Sequence, residues 1–417
     1  MEKELPKNWV ETELENVFNL VYGKGLSVSE LTEDGYNVYG ANGIIGKYSN
    51  YVYEKSKIII SCRGAASGAI HQTTLKSFIT SNSIVLNEIS DELINLRYVK
   101  YAMIQVDKSS VITGTAQPQI TIQLLKDLKF PLSPLAEQNR IVAKLDSLFA
   151  QLESIKTSMA KIPVLLNNFR QQVLTQAVTG KLTEEWREGK KLGDWDSRLL
   201  NDLCFSITDG DHQAPPQVTE GIPFLVISNV SKGFFDFDAV SRFVPIEYYN
   251  FLKDARKPKN GDVLYTVTGS YGIPLLVNFD REFCFQRHIA ILRPDNSKIS
   301  SEFLSFLLKS KLMFNQAKAV ATGTAQLTVP LGGIKKFEVR LPQIQEQQEI
   351  VYRVESLFAK ADAIEEKYKN LKAKIETLPQ TILHKAFKGE LTEQLETDGD
   401  ARVLLEEIVA LKKEKSK

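Results

Sequence analysis

Several short motifs in the chain resemble catalytic or ligand-binding sequences, but each lacks a residue that the chemistry needs. GIIGKY at Gly43 has the wrong glycine spacing for a phosphate-binding loop, and a tyrosine stands where Ser or Thr would bind magnesium. APPQ at Ala214 has two prolines without the preceding acidic or amide residue and the following aromatic that adenine methylation requires. No GxSxG or HExxH motif occurs. None of these motifs is therefore complete in the sequence.

One group of potential metal ligands follows a predicted strand. Asp209, Asp211 and His212 offer two carboxylates and an imidazole, which together can coordinate a divalent cation. The same residues also fit an Asp-Gly turn at the start of a polar loop. We favour the turn, so no metal site is predicted.

Composition is that of an ordinary globular protein. Hydrophobic residues make up 43% and charged residues 25%, and the net charge of +1 does not by itself indicate a nucleic-acid partner. The three cysteines are scattered without a CxxC pair, which predicts neither disulfides nor a zinc cluster. The N-terminus is charged and lacks a signal-peptide core, and no apolar run is long enough for a membrane span. We therefore expect a cytoplasmic protein.

The dominant feature of the sequence is an internal repeat with an offset of 209 residues. Residues 137–183 and 346–392 align without a gap, and 15 of the 47 positions are identical. The motif TGTAQ at Thr113 recurs at Thr322 with the same offset. Because chance similarity does not keep its register over such a length, the two copies should form the same structure.

Apolar residues in both copies follow the alternating four- and three-residue spacing of a coiled coil. This spacing predicts a long helix in each copy, and we expect the two to pack on each other antiparallel. The alternative is that each helix packs on a separate local core. The predicted seam consists of Ile141, Leu145, Leu148, Leu152, Ile155, Ile350, Val354, Leu357, Ile364 and Leu371.

Glycine and proline positions set expectations for the helix ends. Gly180 and Gly389 suit the left-handed conformation that terminates many helices. Pro163 and Pro379 should kink or restart the helices, since proline lacks the backbone donor of a helix interior.

The segments before each helix begin alike and then diverge. Trp9 aligns with Trp195, and Leu14 aligns with Leu200. Both segments contain short β-rich apolar runs bounded by turn residues, which predicts mixed domains of strands and short helices. The clearest predicted strands lie within residues 56–62, 83–89, 261–269 and 287–294.

The predicted fold class is α+β: two mixed α/β domains separated by two long helices that pack as an antiparallel coiled coil, in a pseudo-two-fold tandem repeat. The predicted domains are residues 1–135, 136–189, 190–342 and 343–417. The final segment ends in an amphipathic helix, which either returns to the first domain or contacts a partner.

The repeated helical sequences resemble the specificity subunit of Type I restriction–modification enzymes. The resemblance rests on LSPLAEQNRIVAKLDSLFAQLES and NFRQQVLTQAVTGKLTEEWRE, and on the weaker second copies LPQIQEQQEIVYRVESLFAK and LHKAFKGELTEQ. It extends over essentially the whole chain and is most specific in the helices. The segments GDVLYTVTGSYG, QRHIAILRP and GANGIIGKY are similar to recurrent segments of target-recognition domains in that family.

The resemblance implies a noncatalytic reader of double-stranded DNA in which each variable domain recognises one half of a bipartite site. It also implies two methylation subunits docked on the helices, with restriction/translocase subunits completing the complex. No cofactor is expected on this chain itself: S-adenosylmethionine belongs to the methylation subunits, and ATP and magnesium to the translocase subunits. Exposed candidates for subunit docking are Arg140, Lys144, Arg170 and Gln171.

Loops of both variable domains are then expected to contact DNA, with basic and small polar residues on phosphates and longer polar residues on bases. Each candidate could instead be an ordinary turn residue, and Arg287 could pair with a structural carboxylate. The candidates in the first domain are Asn42, Lys47, Arg63, Ser67, His71, Gln72 and Asn82, and those in the second are Asp211, His212, Gln213, Thr268, Ser270, Tyr271, Gln286, Arg287 and His288.

The repeated TGTAQ motif indicates a role that does not depend on DNA sequence. One interpretation is phosphate contact through Thr115, Gln117, Thr324 and Gln326. The other, which we favour and which is compatible with the first, is a helix cap and turn with a left-handed glycine.

Two other classes of function remain open from the sequence. The chain could be a DNA methyltransferase or nuclease with an unrecognised motif, which would act on DNA without partner subunits. It could also be a coiled-coil scaffold that never binds DNA, in which case its function would depend little on salt, whereas DNA affinity falls steeply with salt.

Overall fold

The computed structural model describes residues 5–210, 212 and 214–415. These residues form two compact units. Unit 1 contains the described residues up to Met159 and from Asn370 onward, and unit 2 contains Ala160–Lys369. Each unit therefore combines one of the predicted variable domains with parts of both repeated helices. The domain boundaries predicted from the sequence stay a prediction.

Unit 1 begins with short strands and helices that lead into one long helix. Its strands are β1 (Val10–Glu13), β2 (Phe18–Tyr22), β3 (Tyr36–Gly40), β4 (Gly43–Tyr48), β5 (Ile58–Ser61), β6 (Ile70–Gln72), β7 (Phe78–Ile79), β8 (Ser83–Glu88) and β9 (Lys129–Leu132). Its helices up to the unit boundary are α1 (Leu14–Val17), α2 (Leu96–Gln105), α3 (Ile122–Leu125) and α4 (Leu135–Met159).

Unit 2 begins with a long helix and ends within another. Its helices are α5 (Ile162–Thr179), α6 (Glu184–Arg187), α7 (Ile246–Phe251), α8 (Ser301–Lys309), α9 (Lys311–Val320), α10 (Leu331–Lys335) and α11 (Ile344–Ala386), the last of which continues into unit 1. Its strands are β10 (Asp196–Leu199), β11 (Cys204–Asp209), β12 (Ile222–Leu225), β13 (Phe243–Val244), β14 (Val263–Thr266), β15 (Pro274–Leu276), β16 (Cys284–Phe285), β17 (Ile289–Pro294) and β18 (Glu338–Leu341). The predicted strands are thus confirmed as β5, β8, β14 and β17.

The two units share one strand topology although their variable sequences differ. Unit 1 has a four-stranded sheet in the order β2-β8-β5-β6, a three-stranded sheet β4-β3-β7 and the pair β1-β9. Unit 2 repeats this with β11-β17-β14-β15, β13-β12-β16 and β10-β18. Strand senses match as well, since β3 pairs parallel with β7 and β12 parallel with β16. The α+β tandem repeat is confirmed, because burial pattern and strand pairing persist where side-chain identity does not.

In each unit, a glycine lies where two segments of backbone cross in close contact. A Cβ atom on Gly23 would lie 2.3 Å from the Thr80 carbonyl oxygen, and one on Gly210 would lie 2.2 Å from the Phe285 carbonyl oxygen. Both glycines follow the first strand of the four-stranded sheet, where the chain passes the end of the three-stranded sheet. Any side chain at these positions would push the two backbones apart.

The two proline residues in the repeated helices have different consequences. The first copy is interrupted between α4 and α5, and Pro163 occupies the first turn of α5, where a missing N–H leaves no bond unmade. The second copy is one helix of 43 residues that passes through Pro379. The prediction of a break is therefore confirmed for Pro163, whereas Pro379 does not end its helix.

The helices pack antiparallel in both units. In unit 2, Arg170 on α5 contacts Asp362 on α11, and Thr183 beyond the end of α5 contacts Glu346 near the start of α11. In unit 1, Phe149 and Leu152 on α4 line one hollow with Pro379 and Leu383 of α11, and Arg140 reaches back to Asp398. The beginning of each repeat copy therefore pairs with the end of the other copy.

The predicted seam is buried over part of its length. Ile141 and Leu145 pack in the core of unit 1 with the sheet residues, and Ile350 and Val354 do so in unit 2. Leu152 is also buried, and Leu148 and Leu357 are half-buried. The structure corrects the prediction at the three remaining positions, because Ile155, Ile364 and Leu371 are 44%, 51% and 48% exposed. An apolar stripe with a seven-residue repeat rotates around a straight helix, so it leaves the contact face after a few turns.

The C-terminal helix α12 (Ala401–Lys415) packs on the N-terminal part of unit 1. The Ala401 N–H donates to the Asn8 carbonyl at 2.9 Å, and Ile408 is buried in the unit 1 core. Near its end, Lys412 donates to the Phe18 carbonyl at 3.3 Å and Lys415 to the Ile89 carbonyl at 2.7 Å. Of the two alternatives for this segment, the structure therefore shows the return to the first domain. Within the described part of the chain, no helix combines the length and apolar character needed to cross a membrane.

Candidate nucleic-acid interface

Four loops of unit 1 meet where the strands of its four-stranded sheet end. The Ser81 N–H donates to the Lys24 carbonyl at 3.0 Å, and the Cys62 N–H donates to the Asn82 carbonyl at 2.9 Å. The Gly64 N–H then reaches the Pro118 carbonyl at 2.9 Å. Backbone hydrogen bonds thus join the loops after β2, after β5, before β8 and around TGTAQ into one surface, which we call edge 1.

Edge 1 presents polar side chains to solvent. Arg63 is exposed, and no carboxylate among the described residues pairs with it. Most of the other predicted contact residues on this side are also exposed. They are Asn42, Asn82, Thr115 and Gln117.

A basic residue of edge 1 was missed by the sequence analysis. Lys24 is exposed beside Ser81, directly after the close crossing at Gly23. In the sequence, Lys24 corresponds to Asp211 of unit 2, because each residue directly follows the glycine of the close crossing. The signal available in the sequence was the shared glycine after a strand, in YGKG and DGDH.

Unit 2 builds the corresponding surface, edge 2, with matching hydrogen bonds. The Gly269 N–H donates to the Leu327 carbonyl at 3.0 Å, as the Gly64 N–H does to Pro118. The Val329 N–H donates to the Val267 carbonyl at 2.8 Å, as the Ile120 N–H does to Cys62. These backbone bonds recur in both units, whereas the exposed side chains of the two edges differ.

Edge 2 has one exposed guanidinium group. Arg287 is exposed, and residues 5–210, 212 and 214–415 provide no carboxylate partner for it, so the alternative of a structural ion pair is not seen. Beside it, His288 is half-buried, and burial together with the neighbouring Arg287 lowers the pKa of its imidazole. Gln286 is half-buried, whereas Ser270, Thr324 and Gln326 are exposed.

Two predicted contact residues of unit 2 have structural roles. Thr268 is only 7% exposed, and its hydroxyl contacts that of Thr328 at 3.2 Å. Tyr271 stacks on Phe314 with ring centroids 5.7 Å apart. Thr268 thus packs beside the TGTAQ loop and Tyr271 packs on helix α9, while their DNA contacts stay a prediction.

Unit 1 also contains predicted residues that lie away from its edge. Lys47 stands at the far end of the β3–β4 hairpin, opposite Asn37, and pairs with Asp34 at 3.8 Å. Gln72 lies opposite Ile58, at the start of β5 rather than its end. A period of two residues in a strand indicates a face but not which end of the sheet a residue occupies.

Two further candidates of unit 1 are packed against neighbouring loops. The Ser67 hydroxyl donates to the Pro118 carbonyl at 2.7 Å. His71 is half-buried beside Gly43. Ser67 thus holds the loop after β5 against the TGTAQ segment.

The polar loop after β11 falls partly beyond the described residues. Asp211 and Gln213 lie outside them, so their predicted DNA contacts and the three-ligand metal alternative stay untested. Within the described part, His212 contacts Asp209 at 3.0 Å.

The TGTAQ motif forms the same closed loop in both units. Thr113 and Gln119 exchange backbone hydrogen bonds at 2.9 and 2.8 Å, and Thr322 and Thr328 do so at the same two distances. Gly114 is left-handed with φ 84°, as predicted. The glycine turns this loop rather than capping a helix, because α9 ends before the motif at Val320.

The arrangement suits recognition of an anionic ligand with polar edges. Each edge offers an exposed guanidinium without a carboxylate partner in the described part of the chain, and such a group can bind a phosphate or make a bidentate contact with guanine. Amide and hydroxyl side chains around it can donate to and accept from bases. Nothing in either edge combines a nucleophile with a general base at hydrogen-bonding distance among the described residues.

Comparisons with known proteins identify the family. The model of the Type I restriction modification DNA specificity domain matches residues 6–164 and 193–375. The chain is 30% identical to the Type I restriction enzyme EcoBI specificity subunit of Escherichia coli, over 97% of this chain and 92% of that protein. It is 29% identical to the EcoKI specificity subunit of Escherichia coli strain K12, over 97% of this chain and 96% of that protein.

A solved structure supports the fold. The crystal structure of the HsdS subunit from Thermoanaerobacter tengcongensis superposes with a TM-score of 0.63 at 20% identity, covering 93% of this chain and 99% of that one. A subunit from a structure of the assembly and conformational transition of a Type I restriction–modification system superposes equally well, at 18% identity over 93% and 99% of the two chains. With two matched segments, two units of one topology and relatives along nearly its whole length, the chain belongs to the Type I restriction–modification DNA specificity subunit family.

Proposed function

We propose that this chain is the DNA-recognition subunit of a Type I restriction–modification enzyme, and that edge 1 and edge 2 each recognise one half of a bipartite site. The observation that supports this most strongly is the contrast between the two edges. Their strand order and loop hydrogen bonds are the same, while the side chains differ. A constant backbone with different exposed groups is what recognition of two different DNA sequences requires.

Within each edge, the exposed residues divide by chemistry. Lys24 and the TGTAQ residues Thr115 and Thr324 are suited to phosphates, because they combine a cation or a small hydroxyl with a glycine-containing backbone. Arg63 and Arg287 are suited to bases, since each is exposed and has no carboxylate partner among the described residues.

The chain itself has no catalytic role in this proposal. Two methylation subunits bind the exposed faces of the helices, and restriction/translocase subunits complete the enzyme. Of the predicted docking residues, Lys144 and Gln171 are exposed. Arg140 and Arg170 are less available, because carboxylates of the antiparallel partner helix and of the segment beyond it bind them within their own units.

The cofactors in this proposal belong to the partners. S-adenosylmethionine is bound by the methylation subunits, and ATP and Mg²⁺ by the translocase subunits. All three cysteines, Cys62, Cys204 and Cys284, are unpaired thiols, which suits a reducing cytoplasm.

Methylation mapping tests the proposal directly. Cells that express this chain with its methylation subunit should methylate a motif of two separated parts. Arg63→Ala should relax the first part alone, and Arg287→Ala the second part alone. Two matched controls, Arg402→Ala on α12 and Arg198→Ala on β10, remove an exposed arginine away from the edges and should leave the motif unchanged. A continuous motif, or changes in both parts from one substitution, would contradict it.

Two assays address the alternative functions. Methylation or cleavage of DNA by the purified chain alone, with S-adenosylmethionine and Mg²⁺, would favour an enzyme. Absence of any salt-dependent DNA binding would favour a scaffold.

A further inference from the structure

Unit 1 contains a cavity of about 480 Å³ beside the outer edge of strand β9. Its walls come from α2 and the segment after it, α3, β9 and the residue that directly follows α11. Among the residues that line it are Ala102, Gln105, Leu124, Lys129 and Phe387.

The corresponding place in unit 2 is filled by helix α9. The correspondence follows from shared contacts: the Asn95 N–H before α2 donates to Gln138 at 2.9 Å, and the Ser300 N–H before α8 donates to Gln347 at 2.9 Å. Helix α9 packs against α8, α10 and α5. By position in the repeat, α8 and α10 match α2 and α3, which line the cavity, and α5 matches the end of α11 together with Phe387, which also lines it.

One side chain of α9 completes the strand edge in unit 2. The Glu338 N–H donates to the Gln316 Oε1 at 2.8 Å, and Gln316 Nε2 donates to the Glu338 carbonyl at 2.9 Å. Lys129 takes the place of Glu338 in β9, since Lys129 is opposite Glu13 as Glu338 is opposite Leu199. The same register directs the N–H and C=O of Lys129 away from β1 and toward the cavity.

The difference between the units arises from chain length. In unit 2, residues 310–321 connect α8 to the TGTAQ motif and form α9. In unit 1, residues 106–112 make the equivalent connection from α2 and contain only one turn of 3₁₀ helix. Unit 1 therefore has the walls of a helix-binding site, and its described residues provide no helix that fills it.

Charge indicates which kind of helix fits. The exposed carboxylates of Glu11, Asp107 and Asp127 line the cavity. Lys129 is the one lysine among the described residues that line it, and it pairs with Glu13 at 2.9 Å. The helix that fills the equivalent site, KLMFNQAKAV, has two lysines and no acidic residue. A basic helix would gain from the acidic rim of this cavity.

We propose that this cavity binds a basic amphipathic helix of a partner protein, in the place that α9 takes in unit 2. The helix presents an apolar face with residues spaced as Met313 and Ala317 are, and an amide side chain that bonds the free edge of β9. A second copy of this chain is a poor donor, because its own α9 buries Met313 and Ala317 within its unit. The inference does not depend on DNA recognition.

A peptide with the sequence of residues 310–321, SKLMFNQAKAVA, serves as the probe. Because a peptide of this length is barely helical in water, it is stapled across Asn315 and Ala319, which are exposed on α9. Fluorescence anisotropy with the full chain should show saturable binding. A peptide with Met313→Asp should bind at least tenfold more weakly.

Chain variants locate the binding site. Leu124→Glu in the cavity wall should weaken peptide binding at least tenfold, whereas Leu165→Glu, a matched change at an exposed position of α5, should not. Asp127→Lys at the exposed rim should weaken binding at low salt, and it provides a second test if Leu124→Glu does not fold.

Four results would overturn the proposal. The first is an absence of saturable binding up to millimolar peptide, and the second is equal weakening by Leu124→Glu and Leu165→Glu. Binding that appears only after removal of residues 1–4 would make the chain's own N-terminus the occupant. Concentration-dependent dimerisation that Leu124→Glu abolishes would make the occupant a second copy.

Discussion

The indole N–H of Trp9 donates a hydrogen bond to the buried carboxylate of Glu137 at 2.8 Å. The repeat preserves this contact, as Trp195 donates to Glu346 at 3.0 Å. Each bond attaches the start of a variable domain to the first turns of a repeated helix. The tryptophans and glutamates at equivalent positions of the repeat thus form the same hydrogen bond in each unit.

The surroundings of the two glutamates differ, which predicts opposite responses to neutralisation. Glu137 is bound by the neutral donors Trp9 and Gln394, and burial raises the pKa of its carboxyl group. Glu346 accepts a hydrogen bond from Thr183 at 2.7 Å and forms an ion pair with Arg187. We expect Glu137→Gln to leave the free energy of unfolding unchanged or higher at pH 7.5, and Glu346→Gln to lower it by about 1–3 kcal/mol.

The pH dependence separates the two variants. A carboxyl with a raised folded-state pKa favours folding at low pH, and this stabilisation is lost as the pH rises from the unfolded pKa through the folded one. Wild-type stability relative to Glu137→Gln should therefore fall as the pH rises above about 4.3, the ordinary pKa of an unfolded glutamate. Urea denaturation at several pH values measures this, and a loss of stability in Glu137→Gln at neutral pH would contradict it.

The guanidinium groups at the two edges predict sequence-dependent losses of DNA affinity. Arg63→Ala and Arg287→Ala should each weaken binding of the cognate duplex by about 1–3 kcal/mol and relax specificity at one position. Lys24→Ala should weaken binding to all sequences alike. It should also make the slope of log affinity against log salt concentration shallower by about 1, because one phosphate contact is lost. Anisotropy titrations over a range of salt concentrations distinguish the two effects. Equal losses on cognate and scrambled duplexes for the arginine variants would mean that they bind phosphates.

His288 predicts a pH dependence of DNA binding at edge 2. Because burial and Arg287 lower the pKa of His288, the imidazole is neutral near pH 7.5. Nearby phosphates favour the charged form, so affinity should rise as the pH falls through the ordinary range of histidine. His288→Gln should reduce this rise. An unchanged pH profile in the variant would place the responsible group elsewhere.

The close backbone crossing predicts that Gly23 tolerates no side chain. Gly23→Ala should lower the free energy of unfolding by about 1–3 kcal/mol, since the added methyl group would overlap the Thr80 carbonyl. Gly25→Ala is a matched control two residues away, where a Cβ would meet nothing within 4 Å. Chemical denaturation of the two variants should therefore differ. Equal stability would show that the crossing relaxes without cost.

The docked C-terminal helix predicts a contribution to the stability of unit 1. Ile408 is 2% exposed against the unit 1 core, and Ile408→Ala should cost about 2–4 kcal/mol through the cavity it leaves. Val403 on the same helix is 65% exposed, and Val403→Ala should change stability by less than about 0.5 kcal/mol. Calorimetry with limited proteolysis near residue 400 compares them. Similar behaviour of the two variants would indicate that α12 is not docked in solution.

Local patterns in the sequence were sufficient for much of this architecture. The ungapped repeat predicted two helical segments of one kind, and apolar runs bounded by turns located β5, β8, β14 and β17. These signals are local: a strand or helix forms from the periodicity of its own residues, and a repeated periodicity implies a repeated element. The equivalence of Trp9 and Trp195 followed from the same alignment.

Only the tertiary structure decided which surfaces those elements present. The seam spacing could not show that Ile141 and Leu145 face a sheet while Ile364 and Leu371 face solvent, because burial depends on which neighbour covers each turn. In the same way, Lys47 and Thr268 have residue types suited to DNA contact, yet one lies at the far end of its hairpin and the other beneath a loop. Residue type and spacing are properties of the chain, whereas the end of a strand, the covered face of a helix and the presence of a carboxylate partner result from contacts between residues far apart in sequence.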